Sequence, residues 1–277
     1  GNPTLRWEKT GTWDAGVDFN LFNSKLFGKI DFYNKHSQDL IAAREISAVN
    51  GTTSMKLNNG EILNRGFEVE LGSTMNITPN ITWTGNLRVS YNKNEVKSLK
   101  VAQHYGYQLT EGGSGAWVEG EDMNTLWCYE YAGVVNTGSE SSPFYSPTVY
   151  YENGEKVGFN GYLYGDGTNY CLNMGTKVAP WNVSLGSTFR IYDFDFSFLL
   201  TGKFGHKFMR ESFNYPAPTG SRFNLNSKYY EILNCDPNIY CPQPMQDKED
   251  RYYFWDRFYP YLSYLATDAS HIRVQEI

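Results

Sequence analysis

No stretch of the 277-residue chain holds 18 consecutive apolar residues, so no segment is long enough to cross a bilayer as a helix. A basic stripe is lacking too. With 24 Lys and Arg against 30 Asp and Glu, the chain has no clustered cations with which to neutralise a phosphate backbone, and nucleic acid is excluded as a partner. Cysteine is scarce. The four thiols allow three connectivities, of which Cys235 with Cys241 is the pairing expected inside one Pro-, Asn- and Asp-bearing loop. Cys128 and Cys171 would have to be joined across a long loop. A Cys-x5-Cys spacing with no neighbouring His is poor for zinc, and His36, His104, His206 and His271 are scattered, so neither a metal site nor a cofactor is expected. Apolar residues make up only 40% of the chain, below the usual globular share.

Aromatics fill the place of the missing aliphatics, at 17% with 22 Tyr, 17 Phe and 7 Trp. They fall on alternating positions. Trp13, Ala15, Val17, Phe19 and Leu21 would share one face of a strand, with Asp14, Gly16, Asp18 and Asn20 on the other, a period of two. The same pattern recurs over about 25–35, 62–75, 83–91, 181–191, 194–201 and from 269 onward. The expectation is an all-β chain of about seven antiparallel strands.

Connections between these strands fall into two classes. Tight turns alternate with long segments at about 36–58, 93–180 and 209–268. Short turns on one side and long loops on the other are the signature of a strand meander crossing an outer membrane. Trp83, Tyr91, Trp181, Tyr192 and Phe194 lie near strand ends, where aromatic rings anchor at bilayer interfaces. Amphipathic hairpins of two packed sheets would alternate in the same way. A soluble secreted β-sandwich carbohydrate-binding or adhesion module therefore stays open on pattern alone. Because Gly1 falls within a patterned segment, no signal peptide is expected in this stretch.

Four blocks narrow the choice. They are the opening Asn2–Ile41, Asn58-x-Gly60-x-x-x-Asn64-x-Gly66-x-Glu68, Trp83–Leu99 with its Ser90-Tyr91-Asn92-Lys93-Asn94, and Asp268-Ala269-Ser270-His271-Ile272-Arg273-Val274. Together they resemble the C-terminal part of the starch-utilisation-type (SusC/RagA) TonB-dependent outer-membrane transporters. Glu119–Tyr131 departs from the Gly- and Pro-bearing pattern of that family, so the loop conformation there is expected to differ. The resemblance implies that residues 1–277 are a fragment of a barrel of about 22 strands, with plug and last strands absent and long extracellular loops. It implies a bacterial outer-membrane location and TonB-dependent import of oligomeric nutrients, oligosaccharide favoured over oligopeptide. The implied partners are a SusD-like surface lipoprotein, TonB through a missing N-terminal region, and outer-membrane lipid.

Paired acids such as Glu68 and Glu70, Glu119 to Asp122, or Asp193 and Asp195 could imitate a glycosidase pair. Alternation instead assigns Glu68 and Glu70, together with Arg88 and Arg190, to the lumen side of a wall, which the resemblance implies faces a plug. The chain is not expected to be an enzyme. Candidate contacts to ligand or partner are Trp117, Trp127, Tyr129 and Tyr131, with Tyr105 and Tyr107 before them, since aromatic faces stack on sugars and accept peptide side chains. Tyr252–Tyr259 is the densest aromatic run and is expected to be loop core or lipoprotein interface. Asp166–Asn169 and Asp247–Asp250 lack the oxygen-ligand spacing of a calcium loop.

Overall fold

The protein is described from a computed structural model covering residues 2–45, 49, 51, 54–100, 104–112, 116–136, 139, 141, 145–158, 163, 165–210 and 259–277. The chain opens with strands β1 (Lys9–Leu21), β2 (Leu26–Glu45), β3 (Ser54–Thr78) and β4 (Ile81–Leu99). An insertion follows, made of helix α1 (Gly106–Glu111) and strands β5 (Thr125–Tyr129), β6 (Tyr131–Asn136), β7 (Tyr145–Tyr150), β8 (Lys156–Gly158) and β9 (Cys171–Thr176). Strands β10 (Trp181–Ile191) and β11 (Phe194–Phe204) resume the meander. The short β12 (Lys207–Met209) and β13 (Ala266–Asp268) precede β14 (His271–Glu276).

One antiparallel sheet of seven strands, ordered β1-β2-β3-β4-β10-β11-β14, organises the molecule. Its register makes continuous rows across the strands. Val17, Ile30, Val69, Val89, Val183, Gly202 and Ile272 lie side by side, and so do Phe19, Gly28, Leu71, Leu87, Leu185, Leu200 and Val274. Polar rows occupy the opposite face. Asp18, Lys29, Glu70, Arg88, Ser184, Thr201 and Arg273 form one of them. Among the described residues the sheet is open along β1 and β14, while Ala42, Ile62 and Val96 in the far parts of β2, β3 and β4 are buried. Val17, Ile272 and Phe194 are 65%, 66% and 79% exposed, a contiguous apolar surface far larger than a soluble monomer carries. Among the described residues no second sheet packs on it, so the sandwich alternative falls. This is the wall of a transmembrane β-barrel. No helix among the described residues is long and apolar enough to cross a membrane; the crossing is made by strands.

Aromatic rows bound the apolar band. Phe32, Phe67, Tyr91 and Trp181 are successive partners at one border, with Tyr91 and Trp181 ring centroids 4.6 Å apart. Trp83, Phe189 and Phe196 mark the other border. Trp83 and Tyr91 are eight residues apart on β4, about 27 Å along a strand and about 20 Å along the normal of a tilted barrel, close to the expected apolar height. Beyond the second border come the tight turns. Phe22, Asn23, Ser24 and Tyr192 all have positive φ there, which bends the chain back within two to four residues.

Glycines in the wall sit beneath large neighbours. The Tyr33 ring covers Gly66, where a Cβ would come 2.1 Å from the Tyr91 carbonyl oxygen and 2.6 Å from the Tyr33 hydroxyl. That clearance explains one glycine of the Asn58–Glu68 block as aromatic cover of a bare strand position.

The segment 36–58, expected as a loop, is for the most part ladder. Strands β2 and β3 continue in register from His36 against Leu63 to Glu45 against Ser54, with irregularities between Ser37 and Ile41. Those bulges break the period of two and hid the strands from sequence reading. Asp39 has a φ of 56° at the bulge. Residues before β1 brace it: Arg6 Nη2 donates to Asp39 Oδ1 at 2.7 Å, and Asn58 Nδ2 donates to the carbonyls of Arg6 and Asp39.

Segment 93–180 is a folded cap rather than an open loop. Strand β4 supplies its base through Leu99, while β5 pairs with β9 and β6-β7-β8 form a second small sheet. Its core is Leu109, Ala116, Trp127, Tyr129, Val149, Tyr170, Cys171 and Leu262. Of the long segment 209–268, most lies outside the described residues. Its ends pair as β12 with β13.

Candidate functional site

Two surfaces carry the polar chemistry: the polar face of the wall, and the cap above it. The wall face encloses a trough of about 660 Å3 whose lining runs from Lys29 and Asp31 on β2 to His271 and Arg273 around β14. Glu68, Glu70 and Arg88 line it, and Arg190 lies on the same face by register. Alternation places them there, because Val69 and Val89 between them must point the other way. Arg88 Nη2 donates to Glu70 Oε1 at 2.8 Å. Arg190 grips Asp195 across the tight turn through Nε and Nη2 at 2.8 and 3.0 Å, the two-pronged geometry that suits a guanidinium.

The trough is electrically lopsided. Asp31, Glu68 and Glu70 lie toward the β2–β3 side, while Lys203, His206, His271 and Arg273 lie toward β11 and β14. Sequence reading named His206 and His271 only as scattered imidazoles and Arg273 only within the late block, and assigned none of the four to the polar face. The signal available was their alternation with Gly202, Ile272 and Val274.

The cap divides the aromatic candidates. Trp127 and Tyr129 are 6% and 2% exposed and are core, not contact surface. Every residue of β5 is buried, so alternation there does not mark a free face. Trp127 Nε1 donates to the Ala116 carbonyl at 3.2 Å, satisfying the one polar atom a buried indole brings. Tyr131 is half-buried and packs on Tyr264 at 5.1 Å. Trp117 is half-buried, with its ring 3.8 Å from where a Cβ on Gly60 would stand. Tyr105 and Tyr107 stack nearly parallel at 5.8 Å, and Tyr105 is 36% exposed. Of the six, Tyr105 is the exposed one, and Tyr107 behind it is half-buried like Trp117 and Tyr131.

Buried polar groups hold the cap together. Gly106 N donates to the Tyr170 hydroxyl at 3.2 Å, and burial pushes that phenol up to about 12. Cys128 and Cys171 are free, buried thiols. Cys128 pairs with Leu172 and Tyr129 with Cys171, so the two sulfurs point to opposite faces of the β5–β9 ribbon. Burial raises Cys128 to about 12 and moves Cys171 in the same direction. Cys235, Cys241, Asp247–Asp250 and Tyr252–Phe258 lie outside the described residues.

Of the carboxylates that could imitate a catalytic pair, Glu70 and Asp195 are ion-paired as above, and those of the cap hold backbone or side chain. Glu119 Oε1 accepts from Leu99 N at 2.6 Å, Glu121 Oε2 from Asn173 Nδ2 at 2.6 Å, and Asp122 Oδ1 from Asn124 N at 2.7 Å. Asp166 Oδ1 caps its own turn, accepting from the Thr168 amide and hydroxyl at 3.0 and 2.9 Å. Among the described residues no group of three or more His, Cys, Asp or Glu is arranged to hold a metal ion.

Asparagines of the resembling blocks seat the cap, a role their sequence pattern did not assign. Asn94 Nδ2 donates to Asn64 Oδ1 and its own Oδ1 accepts from Met123 N, both at 2.9 Å. Beside them Val96 N donates to the Glu121 carbonyl, and the Val96 carbonyl accepts from Gly120 N. The late block Asp268–Val274 has a similar role. Asp268 Oδ1 accepts from Ser270 N, and Ser270 Oγ accepts from Gly205 N at 3.1 Å, which fixes the start of β14 to the end of β11.

No protein-family model matches the chain. In sequence it is 29% identical over 246 residues to the TonB-dependent receptor SusC of Bacteroides thetaiotaomicron, covering 86% of this chain and 21% of that one. It is 34% identical over 134 residues to the TonB-dependent receptor P39 of Formosa agariphila, covering 48% of this chain and 12% of that one. In fold it is similar to the RagAB peptide transporter, with a TM-score of 0.69 at 17% identity, covering 99% of this chain and 28% of the other. The RagAB peptide importer in its open-open state gives 0.68 at 19%, covering 99% and 28%. The chain thus spans about a fifth or less of the curated relatives it matches.

Proposed function

We infer that this chain, a stretch of the barrel of a SusC-type TonB-dependent receptor, is the C-terminal part of a wall through which an oligomeric nutrient is actively imported across the outer membrane. The observation that carries the reading is the register itself. Unbroken apolar rows on one face and charged rows on the other, bounded by aromatics, describe a surface with lipid outside and a polar lumen inside. Glu68, Glu70, Arg88 and Arg190 then face a plug, and the Tyr105–Tyr107 stack faces ligand or a SusD-like lipoprotein. TonB supplies the work through a region outside this stretch. The relatives are receptors, and the tied-up carboxylates argue in the same direction, against an enzyme.

Oligosaccharide is the substrate we favour, because flat tyrosine faces suit sugar rings. Oligopeptide is the second reading, favoured by likeness in fold to a peptide transporter. Extraction of the full-length receptor from outer membranes in mild detergent, followed by mass spectrometry of what co-purifies, separates them. A stoichiometric lipoprotein with a hexose ladder is expected. Short peptides in its place would transfer the substrate to oligopeptides, and recovery of the receptor in the soluble fraction would overturn the reading.

A further inference from the structure

The lipid-side rows change character abruptly. Below the border lie Phe32, Phe67 and Tyr91, and in the next row on the same face stand Asn34, Arg65 and Lys93. The three apolar rows beneath contain no cation on β2, β3 or β4: Ile30, Val69, Val89; Gly28, Leu71, Leu87; Leu26, Ser73, Gly85. Two residues along a tilted strand raise Arg65 and Lys93 by about 5 Å beyond the aromatic ring bases. That is the depth at which headgroups replace hydrocarbon.

Arg65 and Lys93 are direct cross-strand partners, an arrangement that like charges disfavour. A single carboxylate serves them and a third cation. Arg65 Nη2 lies 3.5 Å from Glu95 Oε2, and Lys97 Nζ lies 2.7 Å from Glu95 Oε1. Lys93 makes no ion pair among the described residues and only adds its field to that of the others on Glu95. Lys97 is the extra residue of a bulge between Val96 and Ser98. Three cations to one anion leave a net positive patch on the outside of the wall, with more than half of the Arg65 side chain open at 52%.

We propose that Arg65, Lys93 and Lys97 form a binding site for the phosphate headgroup of an outer-leaflet lipid, held against the wall above the Phe67–Tyr91 aromatic border. The proposal rests on the barrel reading above. A phosphate offers several acceptor oxygens, enough to engage an Arg fork and two ammonium groups together. It also supplies the negative charge that the Arg65–Lys93 pairing lacks. Glu95 spaces the cations and prevents their mutual repulsion from splaying β3 and β4 when no lipid is bound.

The test uses delipidated full-length receptor in mild detergent. The probe is the phosphorylated glycolipid of its own outer membrane, intact or after phosphatase treatment, with bound copies counted by native mass spectrometry. Intact glycolipid should be retained about fivefold less for each cation removed in Arg65→Gln and Lys93→Gln. It should be retained more in Glu95→Gln, and the dephosphorylated form should bind wild type as weakly as the intact form binds the double variant. Equal retention by wild type and double variant, or of the two glycolipid forms, overturns the site. Fractionation of the same cells keeps the two readings apart, since a receptor found in the outer membrane with unchanged lipid retention sinks only this proposal.

Discussion

The indole Nε1 of Trp83 donates to Ser187 Oγ at 2.8 Å, joining β4 to β10 at the lower aromatic border. The ring reaches that hydroxyl by lying over Gly85, where an added Cβ would stand 2.4 Å from it. A bare glycine and a serine one strand apart are thus fitted to a single tryptophan. Ser187→Ala leaves an indole N–H without its partner at a lipid boundary and should cost about 1–2 kcal/mol, while Ser187→Thr keeps the acceptor and should cost less. Gly85→Val should cost more than either, because the ring must leave. Heat-dependent gel mobility of the full-length receptor reads all three, and an unchanged midpoint for Gly85→Val would contradict the arrangement.

Cap aromatics should separate into two kinds. Trp127→Ala removes a buried ring and should destabilise the cap by about 3–5 kcal/mol, seen as protease cleavage between Lys93 and Pro180 with the wall intact. Tyr105→Ala, with Tyr107→Ala, should leave that protease pattern unchanged and weaken ligand or lipoprotein capture instead. Loss of capture by Trp127→Ala in a cap that stays protease-resistant would mean that Trp127 is itself a contact residue.

Alkali should open the cap before it disturbs the wall. Cys128 and Tyr170 both ionise near 12 in the folded cap, against ordinary values of 9.0 and 10.0, and Cys171 moves the same way. An unfolded cap therefore sheds these protons first. The stability they contribute is complete below about pH 9 and declines as pH rises toward 12. Maleimide should leave Cys128 and Cys171 unlabelled at pH 7.5, with labelling accelerating above pH 9. Rapid labelling at pH 7.5 would show that the thiols are not enclosed.

The Glu70–Arg88 pair reports on what fills the trough. Its side chains are 47% and 63% exposed in this stretch of wall, and so exposed a pair is worth under about 1 kcal/mol. If a plug covers it in the full-length receptor, Glu70→Gln strands a buried guanidinium and costs about 3 kcal/mol or more. We expect the larger value from thermal unfolding of the full-length protein. A negligible shift would place the plug elsewhere.

Legibility in the sequence followed the period of two. From Trp13 to Leu21 and from Trp181 to Ile191 the alternation is clean, and the strands lie where it puts them, because one face had to be apolar and the other polar. It failed where geometry departs from a plain strand. The bulges near Asp39 shift the phase, so that His36–Glu45 and Ser54–Asn58 looked like loop. In β5 both faces are buried, so Trp127, Cys128 and Tyr129 follow one another with no polar residue between them. Asn58, Asn64 and Asn94 carry no periodic signal at all. Their work is hydrogen bonding between segments far apart in sequence, visible only once those segments meet.

Continuation of β2 and β3 past the Phe32–Phe67 border sets how far the wall reaches. From Phe32 to Glu45 is 13 residues, about 44 Å of strand and roughly 30 Å of height at a barrel tilt. Such a paired ribbon is a mast rather than a floppy tether, braced at its bend by Arg6 and Asn58. Anything approaching the wall from that end meets the paired ribbon well before it meets the aromatic border, so this end of the wall is held at a distance from the lipid.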